Sequence, residues 1–251
     1  MTRFQSIIGA LAAGSRHEAD QAAGPRPFIT ISRQAGAGGH TLQERLLERL
    51  SAFDPAPDAL AWTGVDKELV EMVAGDDKVF GRLVDGLGEQ SRSWLEELFA
   101  DILTSNATEF RAYRKTAKTI RALALRGRVI IVGRGGVFIT RDMPLGVHIH
   151  LVAPLEDRID HMRRLLNVSR DAAAEQVRTI DRNREAFFKR YWPSETLRAE
   201  SFTATFNTAQ ATDAEIADAV LTLIPNLDVK LSATPATLPR QAGVFQRAAT
   251  S

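Results

Sequence analysis

The chain of 251 residues has no cysteine. That excludes disulfides, thiolate metal sites and a cysteine nucleophile, and it is compatible with a reducing cytoplasm. The chain also lacks any run near the ~20 apolar residues needed to span a bilayer, so no membrane partner is expected. An excess of one charge is missing as well. The 32 Lys+Arg residues stand against 31 Asp+Glu, a formal net charge of +1. This excludes a strongly basic nucleic-acid binder at the level of the whole chain. Hydrophobic residues reach 44% and charged residues 25%, so the sequence is not of the weakly hydrophobic, highly charged kind that stays disordered. A chain of this length can build a core that is stable without covalent staples. No internal repeat is present.

Residues 1–27 read as a flexible N-terminal extension. Their one apolar run, Ile7 to Ala13, suits a short amphipathic helix or a loose tail better than a signal-peptide core. Ala22 to Pro27 then reads as a linker, because two prolines beside a glycine break any helix. Residues 226–251, rich in Ala, Thr, Pro, Gln and Ser, read as a flexible C-terminal tail. The body is 28–225.

Inside that body strands alternate with helices. Phe28 to Ser32, Arg128 to Val132, Val147 to Val152 and Phe202 to Phe206 have the β-branched or alternating character of strands. Helices are predicted over about 41–50, 66–73, 89–105, 108–126, 155–166, 169–191 and 213–223. The last opens on a capping box, Thr212-x-x-Glu215. Strands separated by helices indicate parallel units, and the continuous apolar run Val129 to Val132 suits a strand buried on both faces. The predicted class is α/β, a three-layer parallel-sheet fold with extra helices between its first two strands.

The segment Ile31-Ser32-Arg33-Gln34-Ala35-Gly36-Ala37-Gly38-Gly39-His40-Thr41 carries the most chemistry. A strand runs into a glycine-rich turn, and the turn opens a helix. Glycines let a backbone approach a ligand closely, and the amides of a helix N-terminus favour an anion, phosphate above all. Such turns also occur without a ligand. A dinucleotide fingerprint would need glycine where Thr41 stands, so the spacing is nearer a P-loop, whose Ser or Thr hydroxyl reaches Mg²⁺. Thr41 is placed for that role. The lysine of an ordinary P-loop is absent: Gly39 and His40 occupy its place, and only Arg33 offers positive charge nearby. Arg134, between two glycines and directly after a buried strand, lies where open α/β sheets bind ligands. Asp66 suits either a helix N-cap or a ligand contact. His148 and His150 share one strand face with no nearby carboxylate, which suits a core or edge position better than a metal site.

Five segments in order resemble the cytidylate kinase-like family of the P-loop fold. They are Ile31 to Gly39, Asp66-Lys67-Glu68-Leu69, Val129 to Gly136, Leu151-Val152-Ala153-Pro154-Leu155-x-x-Arg158-Ile159 and Asp181-x-x-Arg184, with Asn207-Thr208 at the end of the last strand. The resemblance covers about 28–223. It implies a P-loop nucleoside monophosphate kinase fold over 28–225, with 54–126 as a helical acceptor-binding insertion and 156–198 as lid-like helices. It implies ATP and Mg²⁺ as cofactors and a small-molecule nucleotide, CMP by default, as acceptor. Ser32, Gly36, Ala37, Gly38, Gly39, His40 and Thr41 would hold the donor, with Thr41 on the metal. Arg33, Arg134, Arg182 and Arg184 would be catalytic. Asp66, Lys67, Arg134 and Arg178 would bind the acceptor.

Two other readings stay open. One is a nucleotide-binding regulatory module that kept the fold and lost the chemistry. The other is a kinase for a non-nucleotide small molecule. The insertion is where acceptor choice or the contacts of a homodimer would be set. Nothing points to nucleic acid, and the expected location is the cytoplasm.

Overall fold

The first strand, β1 (Phe28–Arg33), is buried over its first five residues because it lies at the centre of a five-stranded sheet. The computed structural model describes residues 26–54, 61–85, 87, 92, 95, 108–193, 195–225 and 227. The strands are β1, β2 (Thr63–Val65), β3 (Val129–Val132), β4 (Gly146–Val152) and β5 (Ala204–Asn207), in the order β2-β3-β1-β4-β5. All pair in parallel. Ile29 and Ile31 face Ile130 and Val132 across one seam. On the other seam β4 runs beside the whole of β1, from Phe28↔Gly146 to Arg33↔Leu151.

Helices cover both faces. They are α1 (Gly39–Phe53), α2 (Lys67–Gly75), α3 (Asp77–Asp85), α4 (Thr108–Arg126), α5 (Gly136–Thr140), α6 (Leu155–Leu166), α7 (Arg170–Tyr191) and α8 (Asp213–Leu223). Leu42, Leu46 and Leu50 of α1 join Ile216 and Val220 of α8 against Ile29, Ile31 and Ile149. On the opposite face Val70 of α2 and Ile120 and Leu123 of α4 pack with Phe28 and Ile131. A third cluster, Ala35 with Ile159, Met162, Ala173 and Val177, seats the α6–α7 pair on the turn after β1. The doubly covered sheet explains why Val129 to Val132 reads as an unbroken apolar run.

The α/β class and its parallel sheet agree with the pattern in the sequence, and α4, α6 and α8 have the predicted bounds. The capping box of α8 is present, with Thr212 accepting from the Glu215 amide and Glu215 accepting from the Thr212 amide. Some elements differ. The insertion opens with an edge strand, β2, and continues into α2 and α3; three residues centred on glycine are too short to show a period. Arg128 is not in β3 but turns into it with φ of 50°. The last strand spans Ala204–Asn207, two residues later than its starting point in the pattern, because Phe202 caps a short 3₁₀ turn, Ala199–Ser201. The predicted helix 89–105 and the two terminal extensions lie outside the described residues, apart from 26, 27, 92, 95 and 227.

Gln43 shows how α1 is fixed on the sheet. Its side-chain amide donates to the carbonyls of Val65 and Ile130, at 3.2 and 3.0 Å, bridging β2 and β3. Gly64 makes room: a Cβ there would come within 2.8 Å of the Gln43 Cδ. Removing both donors from a buried site has a known scale. Gln43→Leu should lower stability by about 1–3 kcal/mol in urea titrations, with an unchanged circular dichroism spectrum in native buffer.

Candidate functional site

β1 has β3 on one side and β4 on the other, so the chain leaves its carboxyl end at the point where strand order reverses. Ligands of open α/β sheets bind in the crevice at such a point. The turn from Gln34 to Gly38 occupies it. Gly36 and Gly38 have φ of 78° and 75°, a conformation that costs an L side chain strain. Gly36 also lies so close to Arg158 that an added Cβ would meet that residue's carbonyl oxygen, with its carbonyl carbon at 3.0 Å. Gly38 caps α1 with no side-chain acceptor. The first-turn amides of Gly39, His40 and Thr41 therefore have no intrahelical acceptor, and none of them donates to another described residue. This arrangement fits a bound anion. His40 and Thr41 are exposed there, which leaves the Thr41 hydroxyl free to meet a metal ion carried on phosphates. One acid stands near. Asp213 Oδ1 is 3.6 Å from where a Gly38 Cβ would be, and burial raises its pKa.

The turn is held by two side chains from the helices behind it. Asp181 of α7 accepts from the Ala35 amide at 2.8 Å through Oδ1 and pairs through Oδ2 with Arg158 Nη1 at 2.6 Å. Arg158, buried in α6, donates from the same nitrogen to the Ala35 carbonyl at 3.2 Å and from Nε to Ala153 at 3.1 Å. The peptide of Ala35 is thus gripped on both its polar atoms. Arg184, one turn beyond Asp181, donates to the Arg33 carbonyl at 3.1 Å.

At the carboxyl ends of β1 and β3 is a cavity of about 290 Å³. Its polar wall holds Ser32, Arg33, Lys67, Arg134, His150 and Arg184; Ile180, Phe187, Phe188 and Leu197 form an apolar wall. Arg33 is half-buried. Burial, together with the positive Arg184 and, more weakly, Arg134, pushes its pKa down to about 9, against the opposing pull of Glu68 and Asp66. Arg33 is therefore still charged at neutral pH. Its guanidinium makes no hydrogen bond or ion pair with the described residues. Arg134 has φ of 54°, pairs with Glu71 and lies 5.4 Å from the centroid of the Phe187 ring. Its carbonyl accepts from Tyr113, which stacks on Tyr191 in the aromatic group that anchors the end of α7. A larger cavity of about 810 Å³ lies beneath 195–203, lined by Arg141, His148 and Arg198 among others; neither cavity is lined by a residue of the glycine turn.

The structure brings together Arg33, Arg134, Arg184, Lys67 and Ser32 around one space, and the Arg33 side chain, packed against Gly39, links that space to the first turn of α1. It does not bring Arg182 and Arg178 there. Arg182 is on the outer face of α7, bonded to Glu175 and Thr179, and Arg178 is exposed one turn earlier. The sequence holds the reason: Ala173, Val177, Ile180 and Phe187 mark the inward face of α7, and Arg184 falls on it while Arg178 and Arg182 do not. Asp66 caps α2, its Oδ1 accepting from the Leu69 amide at 2.9 Å. The clamp of Arg158 on Asp181 is what residue-by-residue reading missed. Both residues stand in recognisable motifs, but their contact spans two helices. His148 shares a hydrogen bond with the Thr30 hydroxyl, and His150 stacks on Phe202. Among the described residues no group of three or more His, Cys, Asp or Glu could hold a metal by itself, and no helix is long and apolar enough to cross a membrane.

The sequence model of the cytidylate kinase-like family matches residues 28–210. No curated protein matches the sequence significantly. Among solved structures, an uncharacterized protein from Eubacterium ventriosum superposes with a TM-score of 0.57 at 16% identity, covering 80% of this chain and 99% of that one. Shikimate kinase from Bacteroides thetaiotaomicron gives a TM-score of 0.41 at 14% identity, over 78% of this chain and 96% of the other.

Two expectations follow from the geometry. Asp181→Asn weakens the grip on Ala35 and should cost about 1–3 kcal/mol while lowering the affinity for a polyphosphate, read by calorimetry on the same samples. Burial lowers the pKa of both His148 and His150. The unfolded chain then binds more protons than the folded one below the ordinary histidine pKa of about 6.5, so stability is complete above that pH and declines below it. Thermal unfolding should occur at a lower temperature near pH 5.5 than near pH 7.5, and His148→Gln with His150→Gln should shrink the difference.

Proposed function

The chain belongs to the cytidylate kinase-like family, for which kinase-type phosphoryl transfer is the supported chemistry, and on that premise we propose that it moves the γ-phosphoryl group of ATP to a nucleoside monophosphate, CMP by default, in the cytoplasm. One observation carries the proposal. Arg33 presents a half-buried guanidinium that makes no hydrogen bond or ion pair with the described residues, although Glu68 and Asp66 act on it at longer range, and it shares its cavity with Arg134 and Arg184 at the carboxyl edge of the sheet. Arg134 pairs with Glu71 and Arg184 lies 3.7 Å from Asp181, so Arg33 is the one of the three without an ion pair among the described residues, and a partly buried charge of that kind costs folding energy unless an anion joins it. Phosphoryl transfer needs this kind of charge neutralisation and alignment more than covalent help from the protein.

The roles divide by position. The amides of Gly36, Gly38, Gly39, His40 and Thr41 hold the donor's phosphates, with Ala37 keeping the turn packed against the core. Ser32 and Arg33 close its inner side. Thr41 offers its hydroxyl to Mg²⁺, which supplies charge neutralisation on the phosphate oxygens when bound. Arg134 and Arg184 face the transferring group, where a guanidinium fork matches phosphate oxygens. Lys67, with Asp66 fixing the start of α2, belongs to the acceptor side. In the balanced step an acceptor oxygen forms the new P–O bond, the bond from the γ-phosphorus to the β–γ bridging oxygen breaks, and ADP leaves.

The apolar wall of Phe187, Phe188, Ile180 and Leu197, in a cavity of only about 290 Å³, favours one alternative, a small non-nucleotide acceptor. The test covers both. Purified full chain is incubated with ATP, Mg²⁺ and a panel of nucleoside monophosphates and small phosphate-accepting alcohols, and ADP release is measured. A diphosphate product supports the leading reading. A phosphorylated alcohol supports the second. ATP binding with no product from any acceptor would mark a nucleotide-binding module and sink both. Where turnover is found, Arg134→Gln should reduce it by about 10³-fold with little change in the unfolding temperature.

A further inference from the structure

The glycine turn has no lysine, yet the space that a lysine stem would enter at position 39 is filled. A Cβ on Gly39 would stand 3.1, 3.2 and 3.3 Å from Cγ, Cδ and Nε of Arg33, tighter than ordinary van der Waals contact. At the far end, a Cβ on Gly133 would collide with Arg33 Nη1 and lie 3.2 Å from Cζ. Arg33 therefore leaves the end of β1, crosses the first turn of α1 and ends against the turn that follows β3. Gly39 and Gly133 are the two walls of one slot, and the slot contains an arginine. The Arg184 bond to the Arg33 carbonyl fixes the base of that side chain.

We propose that Arg33 delivers, from the end of β1, the phosphate-directed cation that lysine delivers from the first helical turn of an ordinary P-loop, and that glycine stands at 39 and 133 to admit its side chain. The inference deepens the reading of this turn as a triphosphate site and rests on it. The exchange is not neutral chemically. A lysine ammonium is a point charge on a flexible stem, whereas a guanidinium is a planar fork that can hold two phosphate oxygens at once. The slot holds that fork by its stem before any ligand arrives, so less side-chain freedom is lost on binding. It also sets the two positions against each other: a long side chain at 39 has to displace the Arg33 stem.

Four full-length proteins test this: the native chain, Arg33→Ala, Gly39→Lys and the double variant. Each is melted without ligand, and each is titrated calorimetrically with inorganic tripolyphosphate and with Mg·ATP. Gly39→Lys alone should melt at a lower temperature than the native chain and bind tripolyphosphate at least tenfold more weakly. Arg33→Ala should lose at least tenfold in binding without that drop in melting temperature. The double variant should melt above Gly39→Lys and recover part of the binding lost in Arg33→Ala. Additive melting shifts, a Gly39→Lys chain that binds as well as the native one, or an Arg33→Ala chain that does so, would overturn the inference while native binding leaves the triphosphate site standing. A native chain that binds neither tripolyphosphate nor Mg·ATP would overturn the triphosphate reading and the inference with it.

Discussion

The grip of Asp181 and Arg158 on the peptide of Ala35 is the constraint on which the site depends. A glycine-rich turn has little conformational preference of its own, so its shape must be imposed from outside. Here one carboxylate and one guanidinium take both polar atoms of a single peptide, and they pair with each other at 2.6 Å. Arg158 is buried while the Asp181 side chain is partly exposed, so the pair is set by the packing of α6 and α7 on the turn rather than sealed from water. The consequence extends along the helix. With Asp181 docked, Arg184 reaches the Arg33 carbonyl, and Phe187 comes to lie under Arg134. A helix that resembles a mobile cover in sequence is thus tied at its middle to the turn it faces.

That docking concentrates charge where an empty protein would not choose to have it. Arg33 sits among positive neighbours, and burial pushes its pKa down to about 9. Glu68 and, more weakly, Asp66 oppose this at a distance without forming an ion pair with it, and Asp66 spends an oxygen on capping α2. The fold maintains this state through its apolar core, two clusters packed on opposite faces of one parallel sheet. The phosphate ligand proposed above would relieve that repulsion, and in that case binding and stability would be linked.

Much of the framework was legible because it follows local rules. The apolar run Val129 to Val132, the helical spacing in 155–166 and 213–223, and the capping box at Thr212 all report interactions between residues close in sequence. Elements decided by remote contacts were not. β2 has three residues with glycine at the centre, and it exists because β3 and Gln43 offer its backbone partners. The α3 and α5 helices are short, and they are shaped by the surfaces they cover. In the site, the glycine turn and the roster of arginines could be read directly, and so could the absence of lysine.

Which arginines matter was a different kind of question. On a helix, residues three or four apart share a face, so Arg178 and Arg182 go together on one side of α7 while Asp181, Arg184 and Phe187 belong to another. Only the packing of α7 on Ala35 and on the end of α4 determines which side meets the turn. Likewise, nothing local connects Arg33 with Gly133, a hundred residues on; they meet because β1 and β3 are adjacent in register. The sequence by itself determined an α/β chain with a glycine turn after its first strand and a positive charge there that arginine alone could supply. The tertiary structure decided which guanidiniums meet beside that turn, since that depends on strand order and helix facing, which no local pattern encodes.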